Sequence, residues 1–216
     1  MATVGILGGT GPAGRGVAAR LAWAGYDVVL GSRDAERATD VAASLVARGK
    51  GSVTGGSNVQ AAECDTVVVA TPWDSAVATV SALRAALEGK TVISMVNALA
   101  REGRELTPLY PPRGSMTSQI AFALPDSDVV GAFHHLPAAQ MEDLDSDLDA
   151  DVVICSDSET AREWVAAMVD QMPGLHAVVA GSNSLASAIE AFTAVCISVN
   201  IRYKAHSYVK MAGLRL

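Results

Sequence analysis

The chain has 216 residues, of which 50% are hydrophobic and 18% are charged, and its formal net charge is −7 at pH 7. This length suits one large α/β domain, and the apolar content excludes an intrinsically disordered protein. The acidic balance argues against a nucleic-acid partner, because phosphate binding needs clustered lysines and arginines.

Three features of the sequence bear on the compartment of the protein. The N-terminal residues MATVGILGG lack the basic region of a signal peptide, and no stretch reaches the roughly 18 uncharged apolar residues that cross a bilayer. Cys64, Cys155 and Cys196 are far apart and form no CxxC pair, which indicates buried thiols and neither disulfides nor a zinc site. We therefore expect a cytoplasmic protein with no membrane partner and no metal.

Apolar strand-like runs alternate with helical periodicity along the chain, the pattern of a doubly wound, mostly parallel Rossmann-type sheet. The first half is predicted to contain strand Thr3–Leu7, helix Gly14–Ala24, strand Asp27–Leu30, helix Ala35–Arg48, strand Cys64–Ala70 and helix Ser75–Leu87. The second half is predicted to contain strand Thr91–Ser94, loop Asn97–Arg113, helix Ser118–Leu124, strand Asp128–Phe133, an irregular acidic loop, strand Asp151–Cys155, helix Thr160–Gln171, strand Ala177–Ala180 and a helix from Ser184 to about Asn200.

A glycine-rich turn follows the first strand and opens the first helix. Residues 9–14 match GxGxxG, and they lie between a strand and an amphipathic helix, which is the context a dinucleotide-binding turn requires. In such a turn Gly9 allows the tight bend, Gly11 lets a pyrophosphate approach the backbone and Gly14 lets helix and strand pack closely. The helix N-terminus then offers free N–H groups to the phosphates. The predicted phosphate-binding residues are Gly9, Thr10, Gly11, Pro12, Ala13 and Gly14.

The end of the second strand indicates which nicotinamide cofactor binds. NAD-binding proteins place an acidic residue there, whereas this chain has Ser32 and Arg33, with Arg37 one helical turn later. A hydroxyl and guanidinium groups favour a 2′-phosphate through charge-assisted hydrogen bonds, so we predict NADP(H). Asp34 is the competing candidate, and it is better explained as an early helix residue that favours the helix dipole.

The last predicted helix is apolar nearly all round, with only Glu190 as a charged residue in its interior. Such a helix is normally buried on several sides. We therefore divide the chain into an NADP(H)-binding domain, 1–183, and a C-terminal helix and tail, 184–216, which pack on that domain. A second copy of the chain is expected to cover the remaining side in a homodimer.

With these residues placed, the chain resembles the NADPH-dependent reductases of coenzyme F-420 (F420), an 8-hydroxy-5-deazaflavin. The resemblance runs nearly end to end through four segments: LGGTGPAGRGVAARLAWAGYDVVLGSR, ATPWDS, AFHHLPAAQMEDLD and AIEAFTAVCISVNIRYKAHSYVKMAGL. It implies reversible hydride transfer between the nicotinamide of NADP(H) and the deazaflavin of F420. The two cofactors carry the chemistry and the protein supplies position and electrostatics, so no catalytic triad is expected.

The resemblance also implies roles for residues that follow the later strands. Around the nicotinamide nucleotide it implies Thr71, Pro72 and Trp73, although Trp73 is equally well explained by packing, together with Met95 and Asn97. His134 aligns with the single histidine beside the deazaflavin and is the predicted catalytic residue, the alternative being a structural, hydrogen-bonded histidine. The expected acceptor-binding residues are His134, His135, Pro137 and Ala138.

The chain departs from the family pattern around the expected acceptor pocket. It has His134 followed by His135, a polar Asn97 in a segment that is usually apolar, the sequence VAGS at 179–182 and Ser187 in place of an arginine. The C-terminal tail contains basic residues and no acid, so Arg202 and Lys204 are predicted to bind the anionic F420, the alternative being a solvated tail.

Two other functions are compatible with the same motifs. The first is an NADPH-dependent reductase of another acceptor (a flavin, an imine or a small carbonyl compound), with His135 or Tyr203 as a proton donor. The second is a non-catalytic NADP(H)-sensing protein, which a cleft too narrow for a second ring would favour.

Overall fold

A computed structural model describes residues 2–45, 49–103 and 105–214. The predicted helix end at Arg48 lies outside these residues, as does the basic tail residue Arg215. The chain forms an eight-stranded sheet with helices on both faces and a separate two-stranded hairpin. This confirms the predicted fold class, a Rossmann-type, doubly wound and mostly parallel sheet followed by a long apolar helix.

The strands are β1 (Thr3–Leu7), β2 (Asp27–Ser32), β3 (Val53–Ser57), β4 (Thr66–Val69), β5 (Thr91–Ser94), β6 (Leu99–Glu102), β7 (Glu105–Pro108), β8 (Asp128–Gly131), β9 (Ala150–Ser156) and β10 (Leu175–Gly181). Their order in the main sheet is β10-β9-β8-β5-β4-β1-β2-β3, and β6 pairs with β7 in the hairpin. Every pair in the main sheet is parallel except β8–β9, where the chain reverses.

The helices are α1 (Pro12–Ala24), α2 (Ala35–Ser44), α3 (Asn58–Ala62), α4 (Trp73–Ala82), α5 (Arg84–Leu87), α6 (Met116–Ala123), α7 (Ala138–Glu142), α8 (Glu159–Asp170) and α9 (Ala186–Tyr203). Alternate side chains of the strands point to opposite faces and form two separate cores. On one face, Ile6 and Val68 pack with Val17 of α1. On the other, Leu7 packs with Val80 of α4.

The order of the strands in the main sheet determines where the candidate site lies. β1 pairs with β2 on one side and with β4 on the other, so the connections leaving β1 and β4 run in opposite directions. In open α/β sheets, the crevice at such a switch point, outside the carboxyl ends of the strands, is where ligands bind. The turns that follow β1, β2, β4 and β5 all open into this crevice.

The prediction of a structureless loop over Asn97–Arg113 was wrong, because this segment contains the β6–β7 hairpin. The two strands, LARE and ELTP, are four residues long and partly exposed, and neither shows an apolar repeat of two. The predictions also omitted β3, α3 and α7. β3 (VTGGS) has two glycines, and Gly55 lies so close to α2 that a Cβ there would overlap the backbone of Ala38.

One helical segment is long and apolar enough to cross a bilayer by length and composition, although Glu190 and Arg202 interrupt its uncharged run. The helical segment Asn183–Tyr203 reaches a mean hydropathy of 1.6, and only 28% of its most apolar window is buried. It is nevertheless docked on the sheet domain through Glu190. The Glu190 carboxylate accepts hydrogen bonds from the backbone N–H groups of Met116 (2.6 Å) and Thr117 (2.9 Å) at the start of α6.

Candidate active site

A cleft of about 810 Å³ lies along the carboxyl ends of β1, β2, β4 and β5. It brings together nearly all of the residues predicted to bind the dinucleotide, although they come from four separate turns. Those that line it are Thr10, Gly11, Pro12, Ala13, Gly14, Ser32, Arg33, Arg37, Thr71, Pro72, Trp73, Met95 and Asn97. Gly9 lies beneath the surface of the cleft.

The glycines of the turn after β1 differ in what surrounds them. The positive φ that the bend requires falls on Gly8 (φ +69°), one residue before the predicted Gly9. A Cβ on Gly9 would lie 2.6 Å from Leu30, and one on Gly14 would lie 2.7 Å from the Cα of Gly9, so these two allow close packing. A Cβ on Gly11 would meet only the carbonyl oxygen of Gly8, at 4.0 Å. Gly11 therefore faces the open space that a pyrophosphate would fill.

Helix α1 presents free backbone donors to this space. Gly11 is its N-cap and supplies no side-chain acceptor, and Pro12 occupies the first turn, where a missing N–H costs nothing. The hydroxyl of Thr71 is buried beside the same turn, and among the described residues it has no hydrogen-bond partner. Free N–H groups, a glycine without a side chain and an unpartnered hydroxyl fit the phosphates of NADP(H).

The residues after β2 are arranged for a 2′-phosphate. Asp34 is the N-cap of α2, and its carboxylate accepts the backbone N–H of Arg37 (3.0 Å), so it is engaged within the helix. Ser32 accepts the N–H of Asp34 through its hydroxyl (3.1 Å). The side chains of Arg33 and Arg37 are exposed along the cleft, and in the described part of the chain neither has an ion-pair partner.

Asn58 is a lining residue that the sequence reasoning missed. Its side-chain oxygen accepts the backbone N–H of Gly8 (3.1 Å), which fixes the start of the phosphate-binding turn. Asn58 begins α3, whose N-cap Ser57 and Gln60 form a capping box. The spacing Ser-x-x-Gln was therefore a signal in the sequence for a helix at this position.

A second cavity, of about 320 Å³, adjoins the cleft. Four predicted acceptor residues line it: His134, His135, Pro137 and Ala138. Its other walls come from the C-terminal segment, including Thr193, Cys196, Asn200, His206 and Ser207, none of which had been predicted as site residues. Ala13, Met95 and Asn97 line both cavities. Ligands bound in the two cavities would therefore meet beside these three residues.

The wall that contains His134 is fixed by a bend and two hydrogen bonds. Phe133 adopts a left-handed conformation (φ +64°), which is strained for a residue with a side chain and turns the chain sharply after β8. The carbonyl oxygen of His134 then accepts from the Asn97 amide (2.9 Å) and the Thr193 hydroxyl (3.0 Å). Asn97 and Thr193 thus join β5, the β8–α7 loop and α9 at the junction of the cavities.

His134 is buried and uncharged. Burial, assisted by the neighbouring His135, lowers the pKa of His134 to about 3, so its imidazole is neutral near pH 7. Neither ring nitrogen has a hydrogen-bond partner among the described residues, which is not the pattern of a structural, hydrogen-bonded histidine. A neutral ring can line the pocket or donate a hydrogen bond, but it cannot serve as a cationic acid.

His135 has a different environment. Its Nε2 lies 2.9 Å from the carbonyl oxygen of Asp151, and because a carbonyl only accepts, the proton is on Nε2. Burial lowers the pKa of His135 as well. The remaining ring nitrogen, Nδ1, is therefore an acceptor, and it has no partner in the part of the chain that the structure describes.

Helix α1 also holds the loop that forms the acceptor wall. The buried guanidinium of Arg20 donates to the carbonyl oxygens of Gln140 (2.7 Å), Asp143 (3.2 Å) and Pro173 (2.5 Å). One turn earlier, Arg15 forms an ion pair with Glu142. No apolar repeat marks Arg20 as a core residue, so its role was not predictable from the pattern of the helix.

Several residues near the acceptor end lie outside both cavities. Arg202 lines a separate groove between β7 and α9, and Lys204, in a left-handed conformation (φ +52°), lines neither cavity. Tyr203 is 70% exposed at the end of α9. Two of the departures from the family pattern, 179–182 and Ser187, also lie outside both cavities, whereas the other two, Asn97 and His135, line the second cavity.

Comparisons of sequence and of fold both relate this chain to F420-dependent NADP reductases. Residues 3–98 match the family described as NADP oxidoreductase, coenzyme F420-dependent. The F420-dependent NADP reductase of Methanocaldococcus jannaschii is 34% identical over 221 residues, which cover 99% of this chain and 97% of that protein. Its counterpart in Methanothermobacter marburgensis is 30% identical, with coverage of 99% and 97%.

A solved structure from Arthrobacter sp. FB24, provisionally named an F420-dependent NADP reductase, superposes with a TM-score of 0.81 at 23% identity, covering 96% of this chain and 97% of its own. The pyrroline carboxylate reductase of Plasmodium falciparum, solved with NADP bound, superposes with a TM-score of 0.59 at 14% identity, covering 94% and 66%. These likenesses concern the fold. On the full-length sequence matches, the chain belongs to the family of coenzyme F420-dependent NADP oxidoreductases.

Proposed function

We propose that this protein transfers a hydride reversibly between NADP(H) and F420. The observation that carries the proposal is the meeting of two cavities at Ala13, Met95 and Asn97. One cavity contains a glycine-rich turn suited to phosphates and two arginines that have no ion-pair partner among the described residues. The other is a smaller, mainly apolar pocket suited to a planar ring. An NADP(H)-sensing protein would have no use for the second pocket.

The residues of the cleft account for the binding of NADP(H). The N-terminus of α1 and Gly11 would hold the pyrophosphate, and Ser32, Arg33 and Arg37 would bind the 2′-phosphate. Thr71, Pro72 and Trp73 would flank the nicotinamide nucleotide, which directs its ring toward Met95 and Asn97. Each of these assignments is a proposal about one side chain and can be tested separately.

The acceptor pocket would orient the deazaflavin and exclude water. When both are bound, NADPH would supply a hydride to the deazaflavin and become NADP⁺, and the second hydrogen of the reduced ring would come as a proton from solvent. Val17, Met95 and Ile197 give the pocket an apolar lining, while His134, His135, Pro137 and Ala138 shape one wall. The chain need only hold the two rings in contact, because such alignment is itself a large part of the rate enhancement.

The geometry does not favour an imine or carbonyl acceptor, which would need a proton donor. His135 uses its ring N–H for the Asp151 carbonyl, and Tyr203 lies outside the pocket. A free flavin is a planar acceptor like F420, so the shape of the pocket does not separate the two. The deciding experiment is an absorbance assay in which NADPH reduces F420, with free flavin as the control acceptor. Preference for F420 supports the proposal, and faster reduction of flavin would overturn it.

We further propose that the protein is a cytoplasmic homodimer and that residues 184–216 form its dimer element beside an NADP(H)-binding domain, 1–183. Phe192, Val195 and Val199 lie at helical spacing on α9 and are 46%, 50% and 37% exposed, an apolar stripe suited to a second copy. The three cysteines are free and buried, as expected in a reducing compartment. Light scattering should give twice the chain mass for the wild type and a monomer for Val195→Glu.

The basic residues Arg202 and Lys204 remain a separate proposal for the anionic part of F420. Both are exposed, and they lie within the segment from Asn200 to His206, whose two end residues line the acceptor pocket. A phosphate or carboxylate leaving the pocket at this end would come near them. Replacing both with alanine should raise the KM for F420 and leave the KM for NADPH unchanged; an unchanged F420 constant would exclude this surface.

A further inference from the structure

The last described residues, 204–214, form a C-terminal strap that closes one side of the acceptor pocket. The strap turns back after α9, where the backbone N–H of Ser207 donates to the Asn200 side chain (2.6 Å). His206 and Ser207 line the pocket directly. Tyr208 then packs against the core on one face of the sheet, and Val209 packs against Val153 and Cys155.

The strap is fastened to the sheet chiefly at one residue, Asp151. Its backbone N–H donates to the carbonyl oxygen of Val209 (3.0 Å), and its carboxylate accepts the backbone N–H of Met211 (2.6 Å). Lys210 lies 3.3 Å from the same carboxylate and 2.6 Å from that of Asp149. The Asp151 side chain is only 2% exposed, and a buried carboxylate is costly unless such partners satisfy it.

Asp151 also reaches the opposite wall of the pocket. Its carbonyl oxygen accepts the ring N–H of His135, which fixes the orientation of that imidazole. A single residue of β9 therefore touches both the β8–α7 loop and the strap, the two segments between which the acceptor cavity lies. Asp151 itself does not line either cavity.

We infer that Asp151 is a positioning residue for the acceptor site, which sets the spacing between the His135 wall and the C-terminal strap. This inference rests on the proposed function, since it assigns the spacing to the deazaflavin. Loss of the Asp151 side chain removes the acceptor of the Met211 N–H and one of the two carboxylates near Lys210, whereas the backbone bond to Val209 and the Lys210–Asp149 pair remain. The strap is therefore loosened at 210–211, and His206 and Ser207 are held less firmly beside the ring. No described residue of the strap lines the NADP(H) cleft, so the affinity for NADP(H) should not change.

Steady-state kinetics with each substrate varied in turn, together with calorimetric titration of each substrate alone, tests the inference. Asp151→Ala should raise the KM and the Kd for F420 about tenfold, the usual effect of losing a charge-assisted hydrogen bond, with the values for NADPH within about twofold of wild type. Asp151→Asn keeps one acceptor oxygen and should have a smaller effect in the same direction. The control is Asp126→Asn, which removes an exposed ion pair with Arg84 and lies outside the strap and the lining of both cavities.

A second variant keeps the inference falsifiable if Asp151→Ala does not fold. Lys210→Met alters an exposed side chain and should raise the F420 constants about twofold, a partial loosening of the strap. Unchanged F420 constants in Asp151→Asn and Lys210→Met, or equal shifts for NADPH and F420, would overturn the inference. A wild-type protein that binds NADPH but neither binds nor reduces F420 would overturn the proposed function itself, which separates the two failures.

Discussion

Among single residues, Arg33 offers the most direct test of whether the protein prefers NADPH to NADH. Its guanidinium is exposed along the cleft and is unpaired within the described residues, so it is available for a 2′-phosphate. We expect Arg33→Ala to weaken NADPH binding by about 1.5–3 kcal/mol and to leave NADH binding nearly unchanged. Calorimetric titration measures both affinities. Arg84→Ala, which removes an exposed arginine paired with Asp126, is the control, and equal losses for the two cofactors would contradict the assignment.

The glycines of the turn after β1 allow a matched pair of substitutions. Gly11→Val should abolish NADPH binding with little change in thermal stability, because its side chain enters open cleft space. Gly14→Val should instead destabilise the fold, since a Cβ there would lie 2.7 Å from the Cα of Gly9. Thermal unfolding and NADPH titration of both variants separate the two roles. A folded Gly11→Val variant with wild-type affinity would place the phosphates elsewhere.

His134 links the pocket to the pH dependence of stability. The folded-state pKa is about 3, whereas an unfolded histidine titrates near 6.5. Below pH 6.5 the unfolded chain takes up a proton that the folded chain does not, so the free energy of unfolding falls by about 1.4 kcal/mol per pH unit. Above pH 6.5 this contribution is constant.

Urea unfolding at pH 7.5 and pH 5 measures this contribution. His134→Asn should lose about 2 kcal/mol less than the wild type between these two pH values, because it lacks the titrating ring. Equal losses in the two proteins would mean that His134 is not held neutral by the fold.

The predicted site residues that line the cavities come soon after strands. Thr71, Met95 and His134 follow β4, β5 and β8, and parallel strands bring their carboxyl ends to one edge of the sheet. Asn58 was missed because its helix was missed. His206 and Ser207 could not have been predicted from local pattern, since only the turn after α9 and the bonds to Asp151 bring the tail back to the pocket.

At the scale of elements, the attachment of α9 to α6 depends on Glu190. Burial raises the pKa of this carboxyl, while hydrogen bonds from Met116 and Thr117 act in the opposite direction. Both of its oxygens accept backbone N–H groups, so Glu190→Gln would turn an amide NH2 toward one of these donors. We expect the free energy of unfolding to fall by about 1–3 kcal/mol in urea titrations. Glu163→Gln, on the exposed side of α8, is the control, and equal stability of the two variants would contradict this role.

The elements that were predicted differ physically from those that were missed. β4 is four consecutive β-branched residues, all buried, and its composition alone indicates a strand inside a parallel sheet. β3 forms because its glycines let α2 approach, and the β6–β7 hairpin packs against α9. Both depend on partners distant in sequence, which a local repeat of two or 3.6 residues does not report.

At the scale of the whole molecule, the two halves of the sheet support different cavities. The turns after β1, β2, β4 and β5 line the proposed dinucleotide cleft, and the β8–α7 loop, α9 and the C-terminal strap form most of the lining of the proposed acceptor pocket. The two halves meet at β5 and β8, where Asn97 bonds the backbone of His134. In the proposed function, a nicotinamide and a deazaflavin would meet where the two cavities share Ala13, Met95 and Asn97.

The proposed function requires direct hydride transfer from NADPH to the deazaflavin at this boundary, and isotope tracing tests for such transfer. NADPH carrying deuterium at both C4 positions is mixed with F420 and the protein in ordinary water, and the reduced deazaflavin is analysed by mass spectrometry. Each reduced deazaflavin should retain one deuterium, and the single-turnover rate should fall relative to unlabelled NADPH. Reduced product without deuterium would mean that the hydride does not pass directly between the rings, which would overturn the proposed function.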